Sequence, residues 1–216
     1  MARALITWGG WDGHQPDVVA ALLAGWLREA GMDVQVTDSL ACFDDPAALV
    51  DLSLIVPVWT MSDISAEQAR NVASAVASGV GLAGCHGGMC DAFRANVTWH
   101  FMTGAQWVAH PGNDGVRYRV RMVSDDPLVA GIEDFEVETE QYYLHFDPAV
   151  KVHAVCDFPV ADGFHAPNGP VEMPIVFTKY WGQGRVYHNA LGHQAKVIDH
   201  GPAATLLKRG LLWAVR

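Results

Sequence analysis

The sequence predicts a single α/β domain with a mainly parallel sheet and an antiparallel elaboration in its second half. Three observations lead there. Short apolar runs alternate with segments of helical period as far as Cys90, and period-two patterns take over from Val116. The 216 residues are half apolar and only 18% charged, enough to bury one sizeable core. No internal repeat, low-complexity tract or linker divides residues 1–216.

Ala4-Leu-Ile-Thr-Trp8 reads as a short buried strand, followed by a glycine-rich loop from Gly9 to Pro16. Asp17 can cap a helix whose apolar positions Val18, Val19, Leu22, Leu23, Trp26 and Leu27 follow the helical period, with Gly31 closing it. Met32 to Val36 and Leu52 to Val58 are the next strands. Ser65 and Gln68 form a capping box for a helix reaching Ser78, ended by Gly79. Val80 to Cys85 is a fourth strand, apolar on both faces. Strands separated by helices imply parallel pairing through right-handed crossovers.

Later, Val116-Arg-Tyr-Arg-Val-Arg-Met122 and Phe135-Glu-Val-Glu-Thr-Glu140 alternate strictly, as half-exposed antiparallel strands do. Pro174 to Tyr180 and Arg185 to Ala190 flank Trp181-Gly182-Gln183-Gly184, a hairpin signal. Pro202 opens a last helix through Leu206, Leu207, Leu211 and Leu212.

Composition excludes several function classes. Fourteen Lys and Arg against 24 Asp and Glu give a formal charge of −10, with no basic cluster, so neither nucleic acid nor an anionic membrane is an expected partner. The uncharged stretch Asn71 to Cys90 is broken by glycines, serines and His86, and reads as a helix plus a buried strand rather than a membrane span. Cys42, Cys85, Cys90 and Cys156 are scattered without a CxxC pair, which suits a reducing compartment. The apolar run before Gly9 is too short for a signal-peptide core, so the expected location is cytoplasmic. The glycines form neither GxGxxG nor a Walker loop, so no nucleotide cofactor is expected. Exposed apolar side chains of the antiparallel part leave room for a homo-oligomer.

Ligands of open parallel sheets bind beyond the carboxyl ends of the strands, so the segments after each strand are where chemistry is sought. They are Gly9-Gly-Trp11-Asp12-Gly13-His14, then Trp59 to Asp63, then Gly84-Cys85-His86-Gly87-Gly88, and Leu191-Gly192-His193-Gln194 after the hairpin. Gly84-x-His86-x-Gly88 has the form of a nucleophile elbow, a tight turn lifting its central side chain over the sheet edge. That places His86 at the tip and Cys85 in the core, though a one-residue shift of register would expose Cys85. His14, His86 and His193, from three separate loops, are candidate ligands for a divalent metal such as zinc or manganese, or would polarise a substrate oxygen. Glu140 heads Glu140-Gln-Tyr-Tyr-Leu-His145, where the alternation breaks and aromatics enter. A carboxylate there is a candidate general acid or base, because desolvation raises its pKa toward working pH. Of the eight tryptophans, Trp8, Trp11, Trp59, Trp107 and Trp181 fall at or near strand ends, where flat apolar faces beside polar groups suit a sugar ring. Trp11, Asp12, Trp59 and Gln194 are the candidate substrate contacts of these loops.

Taken together, the Gly9-to-His14 loop, the Val80-to-Gly88 elbow, Gln106-Trp-Val-Ala-His-Pro-Gly112, Thr139-Glu-Gln-Tyr-Tyr143 and Gly184-to-His193 resemble the ThuA-like family, named for trehalose utilisation, within the class I glutamine amidotransferase-like fold. The resemblance spans residues 4–193. It implies a flavodoxin-like three-layer sandwich, a role in carbohydrate metabolism and, in some members, a divalent metal. The same motifs put His110, Tyr142 and Tyr143 among the candidate substrate contacts. Amidotransferases carry a catalytic cysteine at the elbow and a His-x-Glu pair later in the chain. Here His86 stands at the elbow and Gln194 follows His193, so glutamine hydrolysis is not expected.

The leading expectation is an enzyme acting on a sugar or keto-sugar by proton transfer, as an isomerase, epimerase, lyase or hydrolase, with Glu140, His86 and His193 catalytic. The alternatives are a non-catalytic sugar-binding or regulatory module and a cysteine-dependent hydrolase using Cys85.

Overall fold

A computed structural model describes all of residues 1–216. The N-terminal half follows the expected alternation: β1 (Arg3–Gly10), α1 (Pro16–Glu29), β2 (Asp33–Thr37), α2 (Pro46–Val50), β3 (Leu54–Thr60), α3 (Ala66–Ala77) and β4 (Gly81–Cys85). The Ser65–Gln68 capping box is formed in both directions, satisfying two orphan N–H groups at the start of α3. Asp17 does not cap α1. Gln15 occupies the N-cap at φ +49° without a side-chain bond, and Pro16, whose fixed φ already suits a helix, opens the first turn ahead of Asp17. Val18 also turns to solvent, while Val19, Leu23 and Leu27 are buried.

After the elbow come α4 (Gly87–Cys90), α5 (Val97–Thr103), β5 (Ala105–Ala109), β6 (Val116–Met122), β7 (Phe135–Thr139), β8 (Tyr143–Phe146), β9 (Lys151–Phe158), β10 (Val171–Trp181), β11 (Gly184–Asn189), α6 (Ala195–Ile198) and α7 (Gly201–Ala214). The main sheet has nine strands in the order β2-β1-β3-β4-β11-β10-β9-β6-β7. β2, β1, β3, β4 and β11 run parallel, and β10, β9, β6 and β7 continue the sheet antiparallel. The β10–β11 hairpin closes on the pair Trp181–Gly184, as its turn residues imply. β6 buries Val116, Tyr118 and Val120 while Arg117 and Arg119 face water, and Arg117 pairs with Glu138 of β7. β5 and β8 form a separate two-stranded antiparallel ribbon.

Helices cover both faces of the parallel half. α7 lies on one face, where the Tyr187 hydroxyl of β11 donates to the Leu206 carbonyl at 2.8 Å. On the opposite face, His188 of β11 has Nδ1 3.5 Å from Cys90 Sγ of α4. His188 is fully buried, on the face opposite Tyr187, where α4 covers it. One continuous apolar core of 56 residues runs through these layers. No helix is long and apolar enough to cross a membrane.

Candidate active site

The parallel strands β1, β4 and β11 end together, and the segments beyond them converge with the one that follows the antiparallel strand β7. β4 gives way to His86, whose φ of +49° and ψ of −137° make the sharp turn of an elbow. Small residues are required on either side. A Cβ on Gly84 would lie 2.7 Å from Met89 Cγ, and one on Gly88 2.7 Å from the Pro57 carbonyl oxygen. The turn is tied to the neighbouring strand: the His86 N–H donates to the Asn189 carbonyl at 2.7 Å, and Nδ1 donates to the Ala190 carbonyl at 2.9 Å. That second bond fixes the tautomer and turns Nε2, with its lone pair, toward the site.

The short 3-10 turn Asp12–His14 after β1 delivers His14, whose Nδ1 is hydrogen-bonded to the Thr60 hydroxyl at 2.9 Å. Glu140 follows β7, its own carbonyl accepting from the Tyr118 hydroxyl at 3.0 Å. His193 follows β11 by way of Gly192, at φ +123°. His14, His86, Glu140 and His193 are all buried, and one ligand atom from each lies within 4.8 Å of the others. Glu140 Oε2 stands 3.1 Å from His86 Nε2 and 3.3 Å from His193 Nδ1. The His86 ring is stacked on Tyr142 with centroids 4.0 Å apart.

The electrostatics favour a cation at this point. Burial lowers the His14 pKa to about 3, helped by the neighbouring His86 and His193. Burial also lowers that of His86, against the opposing pull of Glu140. Burial pushes the Glu140 carboxyl up, but the neighbouring imidazoles of His193 and His86 outweigh it and hold the pKa well below the usual carboxylate range. Glu140 is therefore ionised, and the expectation of a raised pKa is corrected: the histidines, not the aromatic surface, dominate its surroundings. An ionised carboxylate then faces the lone pair of a neutral imidazole at 3.1 Å. His193 Nδ1 is buried and has no aligned hydrogen-bond partner. Three imidazole nitrogens and one carboxylate oxygen form a donor set suited to zinc or manganese, and the 3.1 and 3.3 Å separations of His86 and His193 from Glu140 Oε2 are those of neighbouring ligands on one ion.

The cluster forms the floor of a cleft of about 570 Å³. Trp11, Trp107 and Tyr142 give it aromatic walls, and Asp91, Arg94, His110, Asn113 and Asp114 give it polar ones. Arg94 is paired with the buried carboxylate of Asp91 and lies 4.4 Å above the Trp107 ring. His110 Nε2 is 3.9 Å from Glu140 Oε1, the carboxylate oxygen turned away from His86, and Asp114 Oδ2 is 3.9 Å from His193 Nε2.

The structure thus brings Trp11, His14, His86, His110, Glu140, Tyr142 and His193 together. Asp12, Trp59, Tyr143 and Gln194 lie outside the cleft. Asp12 serves the 3-10 turn, where its carbonyl accepts from Gln15. Trp59 packs against Gly9, whose added Cβ would lie 2.9 Å from the indole. Tyr143 lines a neighbouring apolar cavity. Gln194 is the N-cap of α6. Trp181 is at the far end of its strand, bonded to the Ala73 carbonyl in α3. Cys85 is buried, with its thiol pushed up to about 12 by burial, which leaves no thiolate for nucleophilic attack. Asp91, Arg94, Asn113 and Asp114 escape the sequence reading. Their only local signals are the i,i+3 spacing of Asp91 and Arg94 and the turn signature Asn113-Asp114-Gly115.

Comparisons place this architecture. A family model described as ThuA, trehalose utilisation, matches residues 3–214. Curated proteins give no significant match. Among solved structures, a protein from Bacteroides uniformis described as ThuA-like superposes with a TM-score of 0.79 at 14% identity, covering 99% of this chain and 91% of that one. A protein of Salmonella typhimurium LT2 described as cytoplasmic gives 0.70 at 13% identity, covering 99% and 100%. A β-galactosidase from Rahnella sp. R3 gives 0.62 at 16% identity, covering 99% of this chain but 30% of that one. The structural likenesses show a shared fold, and the family match runs over nearly the whole length: the chain belongs to the ThuA family.

Proposed function

We propose that the protein is an enzyme of carbohydrate metabolism acting on a sugar or keto-sugar by acid–base chemistry at a divalent metal centre. The observation that carries this reading is the convergence of His14, His86, His193 and Glu140 beneath a cleft that sets aromatic faces beside charged groups. Those four residues would hold the ion, zinc or manganese. Once bound, it would supply Lewis acidity toward a carbonyl or hydroxyl oxygen of the substrate.

The chain's own residues supply the rest. Trp11, Trp107 and Tyr142 offer flat apolar surface to the C–H face of a sugar ring. Asp91, Arg94, Asn113 and Asp114 offer donors and acceptors to its hydroxyl rim. Glu140, held ionised, is in the form that accepts a proton, and it lines the cleft directly, with Oε1 3.9 Å from His110 Nε2. Isomerase, epimerase, lyase and hydrolase chemistry all use this proton movement. Cytoplasmic residence belongs to the same proposal, supported by four unpaired cysteines and by the cytoplasmic description of the Salmonella relative.

The test is metal content, by mass spectrometry, of protein purified without added metal or a histidine tag. About one equivalent of zinc or manganese, lost in His86→Ala, is expected, followed by turnover in a screen of sugars and keto-sugars. Failure to bind even added zinc or manganese would remove the metal from the proposal. Sugar binding without turnover of any member would favour a binding module.

A further inference from the structure

Beside the polar cleft lies a second cavity of about 510 Å³ that shares Trp107, His110 and Asn113 with it. The two differ in chemistry. The cleft over the His–Glu cluster is lined by Asp91, Arg94, Asp114 and Glu140, whereas the adjoining cavity contains no Asp, Glu, Lys or Arg. Its remaining walls are Val108, Ala109, Pro111, Tyr143, Phe158 and the residues Phe164 and His165. Tyr143 and Phe158 have ring centroids 5.0 Å apart, and His165 lies 4.7 Å from Tyr143, forming an aromatic corner. Phe164 is fully exposed on the rim and Val108 is partly exposed. Apolar side chains open to water beside a polar site mark a place where ligand surface is covered.

We propose that this annexe is the subsite for an aromatic aglycone, so that the substrate is a glycoside whose sugar occupies the polar cleft and whose aryl group lies against Tyr143, Phe158 and Phe164. The proposal rests on the sugar reading of the cleft and names the leaving-group side of the same substrate. A second sugar fits poorly here. Its several hydroxyls would exchange water for a wall whose polar side chains are limited to Asn113, the Tyr143 hydroxyl, the Trp107 indole and the imidazoles of His110 and His165, and each unpaired hydroxyl costs affinity. A flat aryl ring needs no such partners and finds aromatic edges and faces at stacking distance. Trp107 and His110, common to both cavities, sit where the sugar and its aglycone would join.

The experiment is calorimetric or NMR titration of the full-length protein with methyl α- and β-glucosides, their 4-nitrophenyl counterparts and trehalose. The expected result is that one 4-nitrophenyl glucoside binds at least about ten-fold tighter than its methyl counterpart, about 1.4 kcal/mol. Val108→Asp and Phe164→Asp, both at exposed positions, should abolish that preference while leaving methyl glucoside affinity unchanged. Equal binding of the pair, trehalose binding tighter than either, or a preference that survives both substitutions would overturn the aglycone subsite and leave the sugar reading standing. No binding of any of these glucosides would overturn the aglycone subsite together with the glucoside form of the sugar reading.

Discussion

The imidazole of His86 lies on the phenol ring of Tyr142, with planes 26° apart and centroids 4.0 Å apart. The two residues reach this contact from the elbow after β4 and the segment after β7. The stack sets the tilt of a ring whose Nδ1 is already anchored on Ala190, so His86 is held at two points. Tyr142→Ala should therefore cost about 3–5 kcal/mol of stability in urea unfolding, typical of emptying a buried aromatic site, and should weaken metal binding as well. Tyr142→Phe keeps the ring and should hold both properties near wild type. Metal affinity unchanged in Tyr142→Ala would show that Ala190 alone orients His86.

Glu140→Gln removes the only negative charge among the four converging donors. The expected outcome is loss of turnover with a native circular dichroism spectrum, and a drop in zinc or manganese affinity of at least about 100-fold. Full activity in this variant would take Glu140 out of the mechanism.

Thr60 touches the centre only through the Nδ1 of His14, at 2.9 Å. Thr60→Val keeps the shape and deletes the hydroxyl. A fall of about 10–100-fold in metal affinity, with little change in melting temperature, is expected for a residue that only orients a ligand. Competition titration with a chromophoric chelator reads this directly.

Cys85 gives the opposite expectation. With a thiol pKa near 12 it should resist iodoacetamide at neutral pH in the native protein, and Cys85→Ala should retain activity. Rapid labelling with parallel loss of activity would restore the cysteine as a nucleophile.

His188 carries a pH dependence. Burial, with a smaller push from His86, lowers its pKa from 6.5 to about 3. Between those values the unfolded chain binds a proton that the native chain does not. Stability is therefore complete above pH 6.5 and declines as pH falls toward 3. From pH 7 to pH 5 this one group should remove about 2 kcal/mol, at 1.36 kcal/mol per pH unit below 6.5. Urea unfolding at the two pH values should show that difference shrinking in His188→Gln. An undiminished difference would assign the acid sensitivity to other groups, such as the buried His153.

Much of this architecture can be read from local pattern, and the misses have physical causes. The strands β1, β3 and β4 announce themselves because burial on both faces demands continuous apolar runs, and β6 and β7 because one wet face imposes strict alternation. β9 is hidden by His153, a polar residue satisfied inside the sheet by the Thr178 hydroxyl at 2.8 Å. β5 and β8 are four or five residues long and pair only with each other, too short to build a period. The histidines of the site were legible because they sit after strands in glycine-rich turns. The pKa direction of Glu140 was not, since it depends on two histidines 54 and 53 residues away in sequence. Gln194 also follows a strand and Trp59 lies near the end of β3, but which way such a side chain turns is decided by tertiary packing.

The order in which the sheet is threaded has a consequence for how the protein comes off the ribosome. β11 sits between β4 and β10, so it alone joins the parallel half to the antiparallel half, yet it is the last strand to be made. Until it emerges, the edge of β4 is unpaired, and His86 lacks the backbone partners that Asn189 and Ala190 provide. The fourth donor, His193, follows only four residues after that strand ends. The cluster of His14, His86, Glu140 and His193 therefore comes together only in a late step, with β11 acting as the keystone.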